Sequence, residues 1–435
     1  MLSVPTTRPE TDLAGVDRSI GHPGRSNIKN GISHLIAGTA IALALWATPG
    51  AAQKTYDTGA TDTEIKFGQT VPFSGPASAY AGVGKTHAAY FNMINDQGGI
   101  NGRKLNLIQY DDAYSPPKAV EQVRKLVEGD EVLFTFQISG TPSNAAVQKY
   151  LNAKKVPQLL AATGASRFSD PQHAPWTIGF NPNYQTEGRI YARYVLKNHP
   201  HAKIGTLYQN DDFGRDYVIG MKAGLGDKAA SMIVGELSYE PTDPTIDSQI
   251  VKLKSLGADL LYDASTPKFA AQAIRKVADL GWKPVHILGI NASSVSATLK
   301  PAGLDISKDI ISTNYVKDPG DPQWKDDPGL KAYFTFMDKY YPEGDKLNTV
   351  NTYGYSTSEL LVHILRQCGD DLTRDNIMRQ ATSIRNFTGS LALPGMQVNT
   401  SPTDYRVNKQ MQMMRFNGER WELFGPVIED AGTAG

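Results

Sequence analysis

Cysteine is almost missing from this chain. Cys368 is the only one in 435 residues, so no intrachain disulfide can form. A chain of this length buries enough core to manage without such staples. Cys368 lies in an apolar helical stretch and reads as a packed side chain rather than a reactive one. Net charge is missing too. Lysine plus arginine number 44 and aspartate plus glutamate 44, for a formal charge of zero. Charges of both signs are interspersed, which excludes the basic stripe of a nucleic-acid binder. Beyond residue 52 no stretch is apolar enough to cross a bilayer. The eight histidines show no metal-ligand spacing. Neither His-Glu-x-x-His nor Gly-x-Ser-x-Gly occurs, and no fixed short repeat is visible.

The first long feature that is present is an export signal. Residues 35–47 are almost wholly apolar, with Arg25 and Lys29 before them and Pro49-Gly50-Ala51-Ala52 after. Basic flank, apolar core and small residues form a secretory signal, with a cut expected near Ala52. Its core is shorter than the roughly 20 residues that span a membrane. Residues 1–52 are therefore read as a signal peptide with a polar N-terminal extension. No cysteine sits near the cut, so no lipid anchor is expected. Outside the cytoplasm neither ATP nor nicotinamide cofactors are supplied, and no cofactor is expected.

The remaining chain of about 380 residues suits two domains. It alternates strand and helix patterns. Residues 65–73 read as a strand and 79–97 as a helix stopped by Gly98-Gly99. Residues 104–110 read as a strand. Ser115-Pro116-Pro117 then opens a helix, with Ala119, Val120, Val123, Leu126 and Val127 as its apolar stripe. Strands at 131–138 and 156–162 flank a helix at 142–154, for which Thr141 is a candidate cap. A surface stretch follows, then a helix at 184–198 closed by His199-Pro200. The grammar restarts with strands at 203–209, 232–239, 259–263 and 285–290. Helices at 214–224, 246–256 and 267–280 lie between them. Such alternation implies parallel sheets covered on both faces, and two successive sets imply two such domains. Residues 319–328 are rich in proline, glycine and aspartate and read as loop. Helices follow at 330–340 and 353–367. The end differs, with short strands at 396–399, 410–416 and 421–425 and a hairpin turn at Asn417-Gly418.

Several residues imitate catalytic motifs. Ala79-Tyr80-Ala81-Gly82-Val83-Gly84-Lys85-Thr86 fits a permissive phosphate-loop spelling. It is too far from the preceding strand end and is helical in pattern. Asp111-Asp112 and Asp211-Asp212 follow strands, where aspartate caps helices or forms turns more often than it catalyses. No catalytic residue and no metal site are assigned.

Three segments carry a resemblance. They are Val71-Pro72-Phe73-Ser74-Gly75-Pro76, then Ile94-Asn95-Asp96-Gln97-Gly98-Gly99-Ile100-Asn101-Gly102-Arg103, then Tyr110-Asp111-Asp112. Later landmarks agree: Ala161-Ala162-Thr163-Gly164-Ala165-Ser166, Tyr208-Gln209-Asn210-Asp211-Asp212-Phe213-Gly214, and Asn399-Thr400-Ser401-Pro402-Thr403-Asp404-Tyr405. From about residue 64 to 425 the chain resembles the periplasmic solute-binding proteins of branched-chain amino acid (Leu/Ile/Val) ABC transporters. The resemblance implies an α/β type I periplasmic binding fold. Two Rossmann-like lobes with parallel sheets are joined by three crossovers, and the ligand sits between them. Lobe 1 is expected at 64–182 and 316–386, lobe 2 at 183–315 and 387–428.

The strand reading places Tyr80, Thr141, Ala162, Thr163, Gly164, Phe213, Ser265 and Asn291 at carboxyl ends of strands, where parallel sheets collect ligands. By the resemblance, the Ala162-Thr163-Gly164 loop and the Thr141 hydroxyl hold a ligand carboxylate, and Tyr80 is an aromatic wall. Phe213 and Ser265 stand where relatives carry tyrosines. Asn291 stands where they carry an acid that meets an ammonium group. The expectation is a monomeric periplasmic receptor that delivers a small carboxylate, plausibly an aromatic acid, to a membrane permease. A branched-chain amino acid binder, a periplasmic sensor domain and an exported enzyme are the alternatives. Asp263, near Ser265, is a potential replacement charge if it turns into the cleft.

Overall fold

The computed structural model describes residues 54–429. The expected signal segment lies outside them. A parallel pair, β1 (Thr55–Tyr56) and β12 (Asp371–Leu372), ties the start of the described chain to a late segment. The first main sheet has five parallel strands in the order β3-β2-β4-β5-β6. They are β2 (Glu64–Val71), β3 (Lys104–Asp111), β4 (Thr135–Phe136), β5 (Gln158–Ala161) and β6 (Thr177–Gly179). The second has seven strands in the order β14-β13-β11-β10-β9-β7-β8. Its parallel members are β7 (Ile204–Gln209), β8 (Ile233–Tyr239), β9 (Leu260–Ala264), β10 (Val285–Leu288) and β11 (Ile311–Asn314). The hairpin β13 (Gln410–Phe416) and β14 (Trp421–Glu429) adds antiparallel to β11.

Helices cover both sheets, so the strands bury side chains on both faces. Ile65 and Phe67 of β2 are fully buried, and Phe67 stacks on Phe134 at 5.0 Å and meets Phe91 edge-on at 5.1 Å. Helix α1 (Ala81–Asp96) supplies Tyr90, Phe91 and Ile94 to that core at helical spacing. The phosphate-loop look-alike is thus the approach to an amphipathic helix. Helices α2 (Pro116–Arg124), α3 (Thr141–Ala153), α10 (Pro328–Tyr340), α11 (Thr349–Cys368) and α12 (Arg374–Ala381) complete the first lobe. A Cβ on Gly354 of α11 would stand 2.9 Å from that of Thr86, so α1 and α11 approach closely there. The second lobe has α4 (Tyr184–Asn198), α5 (Asp212–Leu225), α6 (Ala229–Met232), α7 (Asp247–Ser255), α8 (Pro267–Asp279) and the short α9 (Lys300–Ala302). Cys368 is buried, and burial pushes its thiol up to about 12. Among the described residues no helix is long and apolar enough to cross a membrane.

The chain passes between sheets three times: after β6, after β11, and before β13. Leu391, Leu393, Met396, Val398, Tyr405 and Val407 bury into the first-lobe core. The last passage therefore comes near 408, later than the expected 387. Residues 396–399 form no strand, because Val398 makes only an isolated bridge with Phe387. The expected strand at 131–138 shrinks to β4, since Glu131 and Gln137 take positive φ and break the ladder. Strand β6 was read as a surface stretch. It is three residues long, too short to show a period.

Candidate functional site

A cleft between the two sheets encloses about 1020 Å³, its mouth included. It is walled by the loops after β4, β5, β7, β9, β10 and β11, the carboxyl ends of parallel strands. The first and second passages between lobes, through Asn181–Tyr184 and Asn314–Asp318, also line it. Aromatic rings dominate: Tyr80, Tyr114, Tyr184, Phe213, Tyr315, Tyr353 and Trp421. No lysine, arginine or histidine lines the cleft among the described residues.

Five of the eight residues singled out from sequence line this space: Tyr80, Thr141, Ala162, Phe213 and Asn291. Tyr80 ends a short turn before α1, and its hydroxyl donates to the Asn291 carbonyl at 3.1 Å. Burial pushes its phenol well up. Phe213 opens α5 and meets Tyr184 edge-on at 5.2 Å and Tyr217 at 5.5 Å. Asn291 is a junction. Its Oδ1 accepts from Asn181 Nδ2 at 3.1 Å, and its Nδ2 donates to the Tyr217 hydroxyl at 3.0 Å. Asn181 in turn accepts from the Tyr353 hydroxyl at 2.6 Å.

The other three lie behind the wall. Thr163 is fully buried, and its Oγ1 is 2.7 Å from that of Thr141 and accepts from the Ala165 amide at 3.1 Å. Thr141 is not a side-chain cap. It is the first residue of α3, with Gly140 at the capping position, and its hydroxyl is spent on Thr163. Gly164 lies against the Tyr184 ring, which a Cβ there would approach to 2.7 Å. Ser265 donates to Asp263, whose other oxygen is 3.2 Å from His286 Nε2. Both are buried off the cleft, so Asp263 supplies it no charge.

Two amides of the Ala162-Thr163-Gly164 loop have acceptors within the protein. Ala162 donates to the Ile138 carbonyl at 3.1 Å and Thr163 to that of Ala161 at 2.7 Å. Tyr184 packs its ring against Gly164, and burial pushes its phenol up to about 12. Thr141 and Thr163, expected to hold a carboxylate, bond each other instead. The neighbouring α3 terminus is different. Ser139, 4% exposed, lines the cleft with a hydroxyl that has no partner. Beyond it the Thr141 and Ser143 amides are orphan donors of the helix start, Pro142 having none.

The paired aspartates do local work. Asp211 caps α5, accepting from the Phe213 and Gly214 amides, and burial pushes it up to about 6. Asp112 accepts from the Thr70 hydroxyl and the Tyr114 amide. Sequence reading missed Ser139, Tyr114, Tyr184, Tyr315, Tyr353, Asp318 and Trp421. For Ser139, its place one residue before the Gly140-Thr141 helix start was the available signal.

The lobes also touch at the rims. The Ser166 amide donates to Asp216 Oδ2 at 2.6 Å and Arg167 pairs with Asp212 at 3.0 Å. On another side Ser294 Oγ donates to Asn348 Oδ1 at 2.9 Å. Asp216→Ala deletes a charge-assisted bond between the two lobes worth about 1.5–3 kcal/mol. We expect solute Kd to rise about tenfold or more. Calorimetry checks this, with X-ray scattering of the free protein to show a larger open population. Unchanged Kd and scattering would mean that this bond does not bias closure.

The comparisons with known proteins fit this geometry. A family model described as "Periplasmic binding protein" matches residues 64–420. The Leu/Ile/Val-binding protein homolog 7 of Brucella suis biovar 1 is 22% identical over 329 residues, covering 71% of this chain and 76% of that protein. A branched-chain amino acid ABC transporter protein from Thermus thermophilus, solved with bound valine, superposes with a TM-score of 0.76. It is 15% identical, and the match covers 86% of this chain and 98% of that one. A fatty acid ABC transporter substrate-binding protein from Thermomonospora curvata gives 0.73 at 20% identity, covering 88% and 96%. Two α/β lobes, a ring-lined cleft where their strands end, and a family match over most of the chain lead to one conclusion: this chain belongs to the periplasmic binding protein family.

Proposed function

We propose that this protein is the periplasmic receptor of an ABC importer. It is freed by signal cleavage near Ala52 and works as a monomer. It captures a small carboxylate between its lobes and passes it, chemically unchanged, to a membrane permease. The observation that carries the carboxylate is Ser139, a buried hydroxyl without a partner at the start of α3. Helix starts hold anions without a cationic side chain. The rings of Tyr80, Phe213, Tyr353 and Trp421 suit a flat or extended apolar body. The name of the Brucella protein supports a binding role and that of the Thermus protein a transporter role, and the Thermomonospora protein is named for a solute other than an amino acid.

The solute lacks an α-ammonium group on this reading. Asn291 cannot neutralise a charge, and its side chain is already bonded on both sides. Calorimetry with leucine and 4-methylpentanoate, its deaminated counterpart, tests this on the purified mature protein. The deaminated acid should bind at least as tightly, and mass spectrometry should recover it unaltered. Leucine binding about tenfold tighter would return the branched-chain amino acid reading. Steady conversion of the bound acid would make the protein an enzyme.

A further inference from the structure

Asp318 is the residue of the cleft that the reading above leaves unused. It lies four residues past β11, on the second passage between the lobes, and lines the cleft. The residue is 8% exposed. One oxygen, Oδ1, accepts from the Gly320 amide at 2.8 Å. The other has no hydrogen-bond partner among the described residues.

The surroundings do not balance this charge. Lys317, next in the chain, turns away to Asp327 at 2.6 Å and to the Ser390 carbonyl at 3.2 Å. Asp321 lies close by with the same sign, and burial pushes the Asp318 carboxyl up to about 6. Nearby backbone donors are spent as well. The Lys317 amide donates to the Leu391 carbonyl at 2.7 Å, and those of Tyr315 and Val316 to Asn314 Oδ1. A carboxylate this buried is normally paired or fully hydrogen-bonded, and one that is neither calls for an explanation. Asp321 and Asp327 show the ordinary alternative, each bonded at both oxygens: Asp321 by the Gln323 amide and side chain, Asp327 by the Leu330 amide and Lys317.

We propose that Asp318 is a second polar anchor of the cleft, which receives an O–H or N–H donor carried by the solute away from its acid end. This rests on the carboxylate reading above and narrows it. The solute is then a carboxylate with an apolar or aromatic body and a distal hydroxyl or amino group. Ser139 at the start of α3 faces the acid, and Asp318 faces the donor. Because Asp318 sits on a passage between lobes, a solute bonded there is tied to the hinge as well as to the walls. Such a donor would complete the bonding that the fold leaves open.

Three probes of matched shape separate the terms: 4-methylbenzoate, 4-(hydroxymethyl)benzoate and 4-(aminomethyl)benzoate. Calorimetry on the full mature protein should show the methyl compound binding about tenfold more weakly than the better of the other two. Asp318→Asn keeps an acceptor for the Gly320 amide. It should erase that preference. Ser139→Ala should weaken all three alike. The hydroxyl and amino arms then report which donor the site takes. Equal binding of the three, preference for the methyl compound, binding of none, or a preference that survives in Asp318→Asn would each overturn the proposal. Loss in Ser139→Ala without selectivity at Asp318 would remove this inference and leave the carboxylate receptor standing. No loss in Ser139→Ala would remove the carboxylate reading itself.

Discussion

Replacing Glu187 by leucine is expected to destabilise the protein by several kcal/mol, at about 1–3 kcal/mol for each buried donor left without an acceptor. Glu187 lies in the first turn of α4 and is fully buried. Its Oε1 accepts from the Tyr191 hydroxyl at 2.6 Å, the Ile290 amide at 2.9 Å and the Thr313 hydroxyl at 3.1 Å. Its Oε2 accepts from the Tyr217 hydroxyl. Burial raises its pKa, and those donors oppose the rise. The positive end of α4 also favours a carboxylate there. Leucine matches the size but leaves several donors short of an acceptor. Glu187→Gln keeps one acceptor oxygen and sheds the buried charge, so it should cost less than half as much. Urea unfolding of the two variants checks the order. A loss below about 1 kcal/mol for leucine would mean that water or repacking satisfies those donors. The network also reaches the cleft, since Tyr217 accepts from Asn291 and Asn291 bonds both Tyr80 and Asn181. Glu187→Leu should therefore weaken solute binding too.

The second large effect has the opposite sign. Asp318→Asn is expected to stabilise the unliganded protein at neutral pH by roughly 3 kcal/mol. The figure follows from a folded pKa of about 6 against the ordinary 3.8 of an aspartate, at about 1.4 kcal/mol per unit. Between those two values the folded state holds more of the proton than the unfolded state does. Wild-type stability contributed by this group therefore falls as pH rises through that window. The penalty is complete above pH of about 7 and gone below about 4. Asparagine removes it, and the Gly320 amide keeps its acceptor. Melting wild type and variant side by side from pH 4 to 8 should show the curves diverging upward from about pH 4. Asp211, also pushed up to about 6, is present in both proteins and cancels. An Asp318→Asn variant that is less stable at every pH would mean that the aspartate only forms its turn. Loss of stability at a residue kept for binding is a common trade in functional sites.

Much of the fold was legible because local pattern and tertiary demand agree. Strands buried on both faces read as apolar runs, and helices such as α8 place Ala270, Ala273, Ile274 and Val277 on one stripe. Alternation of the two forced parallel sheets, and parallel sheets put the site at their carboxyl ends. That logic put Tyr80, Thr141, Ala162, Phe213 and Asn291 on the cleft. Boundaries failed where the signal was weakest, at two-residue β4, three-residue β6 and the 396–399 segment.

Glu187 could have been found in the sequence, as a carboxylate on the same helical face as Tyr184 and Tyr191. Asp318 could not. It sits beside a proline- and glycine-rich stretch with Asp321, Asp326 and Asp327, all plausible turn formers. Lys331 pairs with Asp326 and Lys317 with Asp327, leaving Asp318 with a free oxygen toward the cleft. Nor could sequence show that Thr141 and Thr163, from two different strand ends, bond each other while the Tyr184 ring packs against Gly164. Periodicity determined which faces are buried, and so the two lobes and the place of the cleft. Which donors and acceptors remain free inside it was decided only by the packing of distant segments, because a hydrogen bond depends on tenths of an ångström that no local pattern encodes.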